Sequence, residues 1–300
     1  MIILSPGTGA TGGVNFESNI GKLLAADSAG YQLVYLNIPG NLLNDAQINA
    51  EFVAYAISYT YKAVNPNLSL VPSKFVTPNA KQVAVITWSQ GSLDAQWAFK
   101  YWPSTRSKVM DHIAISPDYH GTILAYLLCP GFAAGNAIAC DPSVIQQQYT
   151  SNFVTKLRSN GGATAYTNVT TIYSGLDEIV EPQQGTAASG FLTANTTRYA
   201  QTSNTYVQGS CTGQAAGGLY THEGMLYNPV TYALVKDALT NAGPGSFNRV
   251  SSSCVDVVAP GLSLDDVIET EALIPLAVYN ILSYTPRALT EPAIKSYATY

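Results

Sequence analysis

The sequence predicts an α/β fold in which a mostly parallel central sheet is covered by helices on both faces. Short apolar runs alternate with segments of helical periodicity along most of the chain, an alternation that is typical of parallel βαβ units. Of the 300 residues, 47% are hydrophobic and 11% are charged, which allows a large core and excludes an intrinsically disordered chain. Because no internal repeat or long linker divides the sequence, we expect residues 1–300 to form a single domain.

Five short apolar runs are predicted to be buried strands. They cover residues 1–4, 31–38, 82–88, 112–116 and 169–173. In an open parallel sheet, binding and catalytic sites lie at the carboxyl ends of the strands. The residues that directly follow these runs are therefore the first candidates for functional groups.

Helical periodicity occupies the segments between the predicted strands. Residues 16–26 predict a helix after the first strand, and Asn44 is placed to cap the next helix. A further helix begins at Ser92 and stops before Pro103, because proline cannot continue a helix.

The alternation weakens after about Tyr199, and residues 264–284 predict a C-terminal helix that is interrupted by Pro275. An apolar helical face belongs to a core far more often than to a binding surface. We therefore expect the apolar residues of this helix to pack in the core, while a pocket-lining role stays the alternative.

The charge of the chain argues against nucleic acid as a partner. Its 14 basic and 19 acidic residues give a net charge of −5, and no run of Lys or Arg occurs. Binding to a phosphate backbone requires a basic patch. We expect no nucleic-acid partner, no cofactor and no metal ion, and we expect the chain to act as a monomer.

The composition predicts a secreted, extracellular protein. The chain has four cysteines and 20 tyrosines beside few lysines, and disulfides form in oxidising compartments. It also carries N-glycosylation triplets at Asn67, Asn168 and Asn195. No secretory signal precedes the first predicted strand, so we expect the sequence to begin after a processed leader.

Four cysteines allow three pairings. We predict the sequential one, which joins Cys129 to Cys140 and Cys211 to Cys254, with four buried thiols as the alternative. The first pair lies in residues 121–140, a stretch without charges whose glycines and proline argue against a membrane-spanning helix. We expect a compact apolar loop there.

A glycine-rich stretch follows the first predicted strand. Residues 6–13 contain G-x-G-x-x-G between a strand and a helix, which is the pattern of a dinucleotide-binding turn. That pattern also needs an acidic residue at the end of the second strand, and residues 35–39 contain none. An NAD-dependent oxidoreductase is therefore the minor alternative. The same turn fits an anion hole in which backbone N–H groups face a developing oxyanion.

A nucleophile elbow is predicted after the third strand. Residues 83–87 form a short apolar strand, 88–91 a tight turn, and a helix follows. In this motif the serine lies in a strained turn that exposes its hydroxyl above the sheet. Ser89 has this position, and Gly91 lets the helix pass close by, although Thr87 replaces the first glycine of G-x-S-x-G. An ordinary surface serine is the alternative.

His222 is the candidate general base. A serine hydroxyl needs a neutral imidazole to accept its proton, and the chain has three histidines. His112 lies in a predicted strand, where we expect a core histidine, and His120 lies in the loop that follows. His222 lies in a small-residue loop late in the chain, as the order serine, acid, histidine requires.

The orienting acid must lie between Ser89 and His222 at the end of a strand, which leaves Asp118 and Asp177. Asp177 is favoured, because in this order of residues the acid follows at least two strands after the nucleophile. We expect the adjacent Glu178 to be a solvated charge.

These residues resemble the fungal lipases of the Candida antarctica lipase B type, members of the α/β-hydrolase superfamily. The shared stretches are residues 6–9, 43–45, 87–91, 104–109, 117–119, 121–122 and 177–180. The resemblance is close over about residues 1–185. Beyond them it is limited to the region of His222 and the cysteines at 211 and 254, and the family's first disulfide has no counterpart here.

The resemblance implies an α/β-hydrolase fold and a serine carboxylic-ester hydrolase, specifically a triacylglycerol lipase that forms an acyl-enzyme. It implies Ser89, Asp177 and His222 as the catalytic triad. It also implies that the backbone N–H and hydroxyl of Thr8, with the backbone N–H of Gln90, form the oxyanion hole.

The resemblance further implies how substrate is held. Trp88 would line the alcohol side of the pocket, and the acyl side would be lined by Asp118, Gln147 and Ile179. Residues 121–142 stand where those lipases carry a small lid, so we expect a lid-like disulfide loop there. The expected partner is an ester or lipid at an oil-water interface.

Two alternatives to a lipase stay open. A short-chain esterase or an acyltransferase would use the same chemistry with another acyl-length preference or another acceptor. A non-catalytic lipid-binding homologue would bind fatty acids without turnover.

Overall fold

The computed structural model describes residues 1–67, 80–131 and 138–299. The strands in these ranges are β1 Ile2–Ser5, β2 Leu33–Tyr35, β3 Val83–Trp88, β4 Val109–Ile115, β5 Asn168–Tyr173 and β6 Thr202–Tyr206. They form one six-stranded sheet in the order β2-β1-β3-β4-β5-β6. Every pair of neighbours is parallel, which confirms the predicted α/β class.

Helices cover the sheet. Those in the described ranges are α1 Gly12–Phe16, α2 Ile20–Ala25, α3 Ala46–Val64, α4 Gln90–Tyr101, α5 Ala125–Leu128, α6 Pro142–Gln146, α7 Asn152–Arg158, α8 Val207–Ser210, α9 Pro229–Thr240, α10 Phe247–Val250, α11 Leu264–Glu271 and α12 Leu273–Ser283. In the described part of the chain, no helix is both long enough and apolar enough to cross a membrane.

The core lies on both faces of the sheet, because successive strand residues point to opposite faces. On one face, Ile2 and Leu4 of β1 pack with apolar residues of α1, α2 and α9. On the other, Ile3 packs with α3, α4 and α7, where Trp97 and Phe153 stack with ring centroids 4.3 Å apart. The two-sided cover that was predicted from the apolar strands is confirmed.

The structure corrects several details of the predicted elements. The helix predicted over residues 16–26 is two helices, α1 and α2, and the cap of α3 is Asp45 rather than Asn44, because the Asp45 carboxylate accepts the Gln47 N–H. β6 was not predicted, since its residues are mostly polar and half-buried.

The C-terminal helix is also divided differently from the prediction. α11 ends at Glu271 and α12 begins at Leu273, so the break lies before Pro275. Pro275 falls in the first turn of α12, where a missing N–H costs no intrahelical hydrogen bond. Proline therefore does not interrupt this helix.

Two disulfides have the predicted sequential pairing. Cys129 is joined to Cys140 and Cys211 to Cys254, and the described ranges contain no free cysteine. The first bridge closes the loop predicted to be lid-like, of which residues 132–137 lie outside the described residues. The second links the region after β6 to the segment before α11.

The order of the strands indicates where in the sheet a ligand site is expected. The chain passes from β1 outwards to β2 and then back across β1 to β3, so the direction of the crossovers reverses between β1 and β3. Ligand sites in open α/β sheets lie at such a reversal, at the carboxyl ends of the strands. Thr8 and Ser89 follow these two strands.

Candidate active site

Ser89 lies in a strained turn between β3 and α4. Its φ of 53° is unusual for a residue with a side chain, and such conformations persist where the surrounding structure enforces them. The Ser89 N–H donates to the Ile115 carbonyl of the neighbouring strand at 3.1 Å. A Cβ at Gly91 would lie 2.5 Å from the Pro6 carbonyl oxygen, so only glycine fits there. These are the features expected of a nucleophile elbow.

His222 and Asp177 form a buried hydrogen-bonded pair. The Nδ1 atom of His222 lies 2.8 Å from Oδ2 of Asp177, and both residues are almost fully buried. The other carboxylate oxygen of Asp177 accepts the backbone N–H groups of Ile179 and Val180, at 3.0 Å and 2.7 Å. These bonds fix the carboxylate and favour the tautomer in which Nδ1 carries the proton.

The second ring nitrogen of His222 makes no hydrogen bond within the described ranges. This atom, Nε2, is buried. Ser89 and His222 line the same pocket. Of the two candidate acids, the structure therefore brings Asp177 to the imidazole of His222.

Burial and three nearby carboxylates act in opposite directions on the pKa of His222. Burial lowers the pKa of His222, but Asp177, Glu178 and Glu223 together raise it above the usual imidazole value. Glu178 also accepts the backbone N–H of His222 at 3.1 Å. Glu178 is exposed, as expected of a solvated charge, but its contact with the His222 backbone was not predicted.

A polar network joins the glycine-rich loop to the elbow. The Thr8 hydroxyl donates to Oε1 of Gln90 at 2.7 Å and lies 3.1 Å from Oε1 of Gln147. Gln90 is the first residue of α4, and N–H groups in a first turn lack acceptors within their helix. The partial positive charge of the helix N-terminus stabilises an anion there. Thr8 and Gln90 are thus close together beside Ser89.

The pocket has a mostly apolar lining with a few polar residues. Its polar lining residues are Thr8, Ser89, Thr122, Gln147 and His222. The predicted substrate-binding residues Trp88, Gln147 and Ile179 line it as well. Asp118 is not among the described residues that line this pocket.

Asp118 is fully buried, and neither carboxyl oxygen has a hydrogen-bond partner in the described ranges. Burial raises the pKa of Asp118 to about 7, although nearby His222 lowers it. Asp118 is therefore a neighbour of the His222–Asp177 pair without direct access to the pocket.

The apolar walls come from α12 and from the loop around α5. Four residues of α12 line the pocket, namely Ile274, Ala277, Val278 and Ile281. Leu124, Ala125 and Leu128 also line it. The expectation that the C-terminal apolar residues belong to the core is therefore only partly correct, because Leu273 lies in the core while the four α12 residues named above line the pocket. The outward side chains of Leu127, Tyr279 and Leu282 are exposed.

The glycine-rich loop does not resemble a pyrophosphate cradle in its hydrogen bonding. The N–H of Gly7 donates to Asn15, that of Gly9 to the Asn41 carbonyl and that of Gly12 to the Leu36 carbonyl. These donors are already used within the protein, which argues against dinucleotide binding. In the described part of the chain, no group of three or more His, Cys, Asp or Glu side chains is arranged to hold a metal ion.

The other two histidines lie outside the pair. His112 is buried in β4, where Nε2 contacts the Thr87 hydroxyl at 3.0 Å, and burial lowers its pKa to about 3. The His120 ring packs against the Tyr149 ring in a tilted arrangement, with ring centroids 4.0 Å apart. The expectation of a core histidine at 112 agrees with this burial.

Three contacts of His222 were not predicted from the sequence. The Glu178 carboxylate accepts the His222 N–H, and the His222 carbonyl accepts the Ser116 hydroxyl at 2.9 Å and the Trp88 indole N–H at 3.2 Å. Ser116 directly follows β4, so its place at a strand end was the one available indication.

The chain is similar to known fungal lipases over nearly its whole length. It is 33% identical over 304 residues to lipase B of Pseudozyma antarctica, a match that covers 99% of this chain and 78% of that protein. It is 47% identical to the chain in a crystal structure of Aspergillus fumigatus lipase B, with a TM-score of 0.87. That match covers 99% of this chain but 66% of the other, slightly less than two thirds of its length.

A more distant likeness concerns the fold alone. A crystal structure of Bacillus licheniformis lipase BlEst2 in its propeptide form has a TM-score of 0.53 at 16% identity, covering 82% of this chain and 51% of that one. No protein-family model matches the chain.

Proposed function

Because the chain belongs to the fungal lipase B family of α/β-hydrolases, we propose that it is a serine carboxylic-ester hydrolase acting as a triacylglycerol lipase. The observation that carries the proposal is the buried His222–Asp177 hydrogen bond of 2.8 Å, whose imidazole lines the same apolar pocket as Ser89. Nucleophile, base and orienting acid thus come from three segments that converge at one edge of the sheet.

The reaction begins with attack by Ser89 on the ester carbonyl carbon. His222 accepts the hydroxyl proton at Nε2, while the Asp177 carboxylate stabilises the imidazolium through Nδ1–H. The negative charge on the carbonyl oxygen is stabilised by the backbone N–H of Gln90 and by the N–H and hydroxyl of Thr8, each donor contributing about 3 kcal/mol. The Thr8 hydroxyl donates to Oε1 of Gln90 before substrate binds, so in this proposal it turns towards the oxyanion during the reaction.

Breakdown of the tetrahedral intermediate releases the alcohol, which takes its proton from His222. The acyl group stays on Ser89 as an ester. His222 then takes a proton from water, the hydroxide adds to the acyl carbon, and the fatty acid leaves as Ser89 regains its proton. The same histidine therefore acts as base and acid in each half of the cycle.

The pocket supports a substrate with an apolar chain. Its apolar lining includes Ala277, Val278 and Ile281 of α12 together with Leu124 and Leu128. Burying each methylene of an acyl chain against such walls contributes about 0.8 kcal/mol. This lining favours a lipase over a short-chain esterase.

The exposed apolar side chains beside the pocket support action at a lipid surface. On α12 and around α5 they include Leu127, Tyr279 and Leu282, and apolar patches of this kind mark interaction sites. We propose that this rim contacts the oil-water interface while substrate enters. The two disulfides support an extracellular location.

The proposal is tested by hydrolysis of p-nitrophenyl esters of increasing chain length, below and above their solubility, by the parent protein and by Ser89→Ala. We expect turnover to favour longer chains and to disappear in the variant. A preference for acetate would identify a short-chain esterase, and transfer to added alcohols in preference to water would identify an acyltransferase. Tight fatty-acid binding without turnover would identify a lipid-binding homologue.

A further inference from the structure

The backbone carbonyl of His222 accepts two hydrogen bonds from side chains of the central sheet. The Ser116 hydroxyl donates at 2.9 Å and the Trp88 indole N–H at 3.2 Å. Trp88 directly precedes Ser89 at the end of β3, and Ser116 directly follows the neighbouring strand β4. A carbonyl oxygen has two lone pairs, so both acceptor positions of this group are in use.

These bonds matter because His222 lies in an irregular turn rather than in a strand or a long helix. A catalytic imidazole must hold its place relative to the nucleophile, yet turns are the more mobile parts of a fold. The ring is fixed at Nδ1 by Asp177, which follows β5. The backbone is fixed at its carbonyl from β3 and β4. His222 is therefore held from three neighbouring strands.

The backbone of Ser116 is itself unusual. It is fully buried with a φ of 45°, in the left-handed region that residues with side chains rarely adopt. Its N–H donates to the Ile172 carbonyl of β5 at 2.9 Å, which keeps the residue in this conformation. Strained residues persist where the surroundings over-determine them, and they cluster at active sites.

We propose that Ser116 is a positioning residue, whose hydroxyl anchors the His222 carbonyl so that the imidazole stays aligned with Ser89. This inference rests on the proposed function. The Ser116 hydroxyl donates to the backbone of His222, and Ser116 is not among the described residues that line the pocket, so its effect on the reaction passes through His222. The contact acts on proton transfer to and from the imidazole and leaves ground-state binding of the ester unchanged.

Two substitutions at Ser116 distinguish the effect of losing the hydroxyl from the effect of relieving the backbone strain. Ser116→Ala removes the hydroxyl and keeps a Cβ at the positive φ, whereas Ser116→Gly removes the hydroxyl and relieves the strain. We expect both to lower kcat about tenfold with KM unchanged, since a misplacement of about 1 Å can cost about 100-fold in rate. Ser5→Ala is the matched control, because Ser5 is a buried serine at the end of β1 whose hydroxyl has no partner in the described ranges.

A double-mutant cycle with His222→Ala provides the readout that a purely structural role would not give. If Ser116 acts through the imidazole, Ser116→Ala lowers the single-turnover acylation rate in the parent but causes no further loss in the His222→Ala background. Folding is checked by the thermal unfolding temperature of each variant.

Three results would overturn the inference. Ser116→Gly could retain the parental kcat, Ser116→Ala could lower the rate by the same factor with and without His222, or its effect could fall on KM alone. If the parent fails to hydrolyse esters, or Ser89→Ala is fully active, the proposed function fails and this inference with it. If Ser89 and His222 are required but both Ser116 variants match Ser5→Ala, this inference alone is overturned.

Discussion

The Thr8 hydroxyl donates a 2.7 Å hydrogen bond to Oε1 of Gln90, across 82 positions of sequence. This hydrogen bond joins the glycine-containing turn after β1 to the glycine-containing turn after β3 in a single site. Gln147 also donates to this Oε1, at 3.0 Å. Oε1 of Gln90 would therefore keep a hydrogen-bond partner if the Thr8 hydroxyl turned towards an oxyanion, as proposed.

Removing the Thr8 hydroxyl should slow the chemical step. We expect Thr8→Val to lower kcat about 100-fold, in line with the loss of one oxyanion donor, with little change in KM because the charge develops only in the transition state. Thr8→Ser keeps a hydroxyl and is the control, expected within a few-fold of the parent. Steady-state hydrolysis of a soluble ester gives kcat and KM for each variant. Equal kcat values for Thr8→Val and Thr8→Ser would exclude a role for the hydroxyl.

The activity should fall as the pH decreases through the pKa of His222, because only the neutral imidazole accepts a proton. Although burial lowers this pKa, the surrounding carboxylates raise it above 6.5, so we expect the inflection of kcat/KM above that value. Glu178→Gln removes one charge while keeping an acceptor for the His222 N–H. The inflection should then move to lower pH, and an unchanged or raised inflection would contradict this assignment.

His112 should make the fold sensitive to acid. Burial lowers its folded-state pKa to about 3, so between about pH 6.5 and 3 the unfolded chain binds a proton that the folded chain does not. The contribution of His112 to the free energy of unfolding is fully present above about pH 6.5. Below that pH it decreases by about 1.4 kcal/mol per pH unit. Urea unfolding of the parent and His112→Gln from pH 7 to 4 tests this. As the pH falls, the free energy of unfolding of the variant should rise relative to that of the parent. A difference between the two that does not change with pH would contradict the account.

The two disulfides should contribute unequally to stability. The Cys211–Cys254 bridge spans 43 positions and the Cys129–Cys140 bridge spans 11. In the chain-entropy model their removal costs about 4 and about 3 kcal/mol of unfolding free energy, because the longer loop loses more entropy on closure. Paired Cys→Ala variants, compared by urea unfolding under non-reducing conditions, give both values. A larger loss for the shorter loop would oppose this interpretation.

The parts of the fold that could be predicted were those with a distinct residue pattern. Buried parallel strands are continuous apolar runs, and β1 and β3 were recognised in this way. β6 was missed because it lies at the sheet edge, where only Thr205 of its residues is buried. The wall formed by α12 was assigned to the core, since helical periodicity shows an apolar face without showing whether protein or an open pocket lies opposite it.

The site could be predicted where side chains carry the chemistry. Ser89 and Asp177 were predicted from their positions after strands, and His222 was predicted from chain order. Ser116 could not be found in this way, because it contacts a backbone carbonyl, and every residue type at position 222 would present that group.

The central claim, that Ser89 is a nucleophile activated by His222, is tested most directly by covalent labelling with a fluorophosphonate, followed by mass spectrometry of the peptides. The account predicts one adduct, located on Ser89, that is absent in Ser89→Ala and forms far more slowly in His222→Ala. A folded parent protein that stays unlabelled, or an adduct that persists in Ser89→Ala, would contradict it.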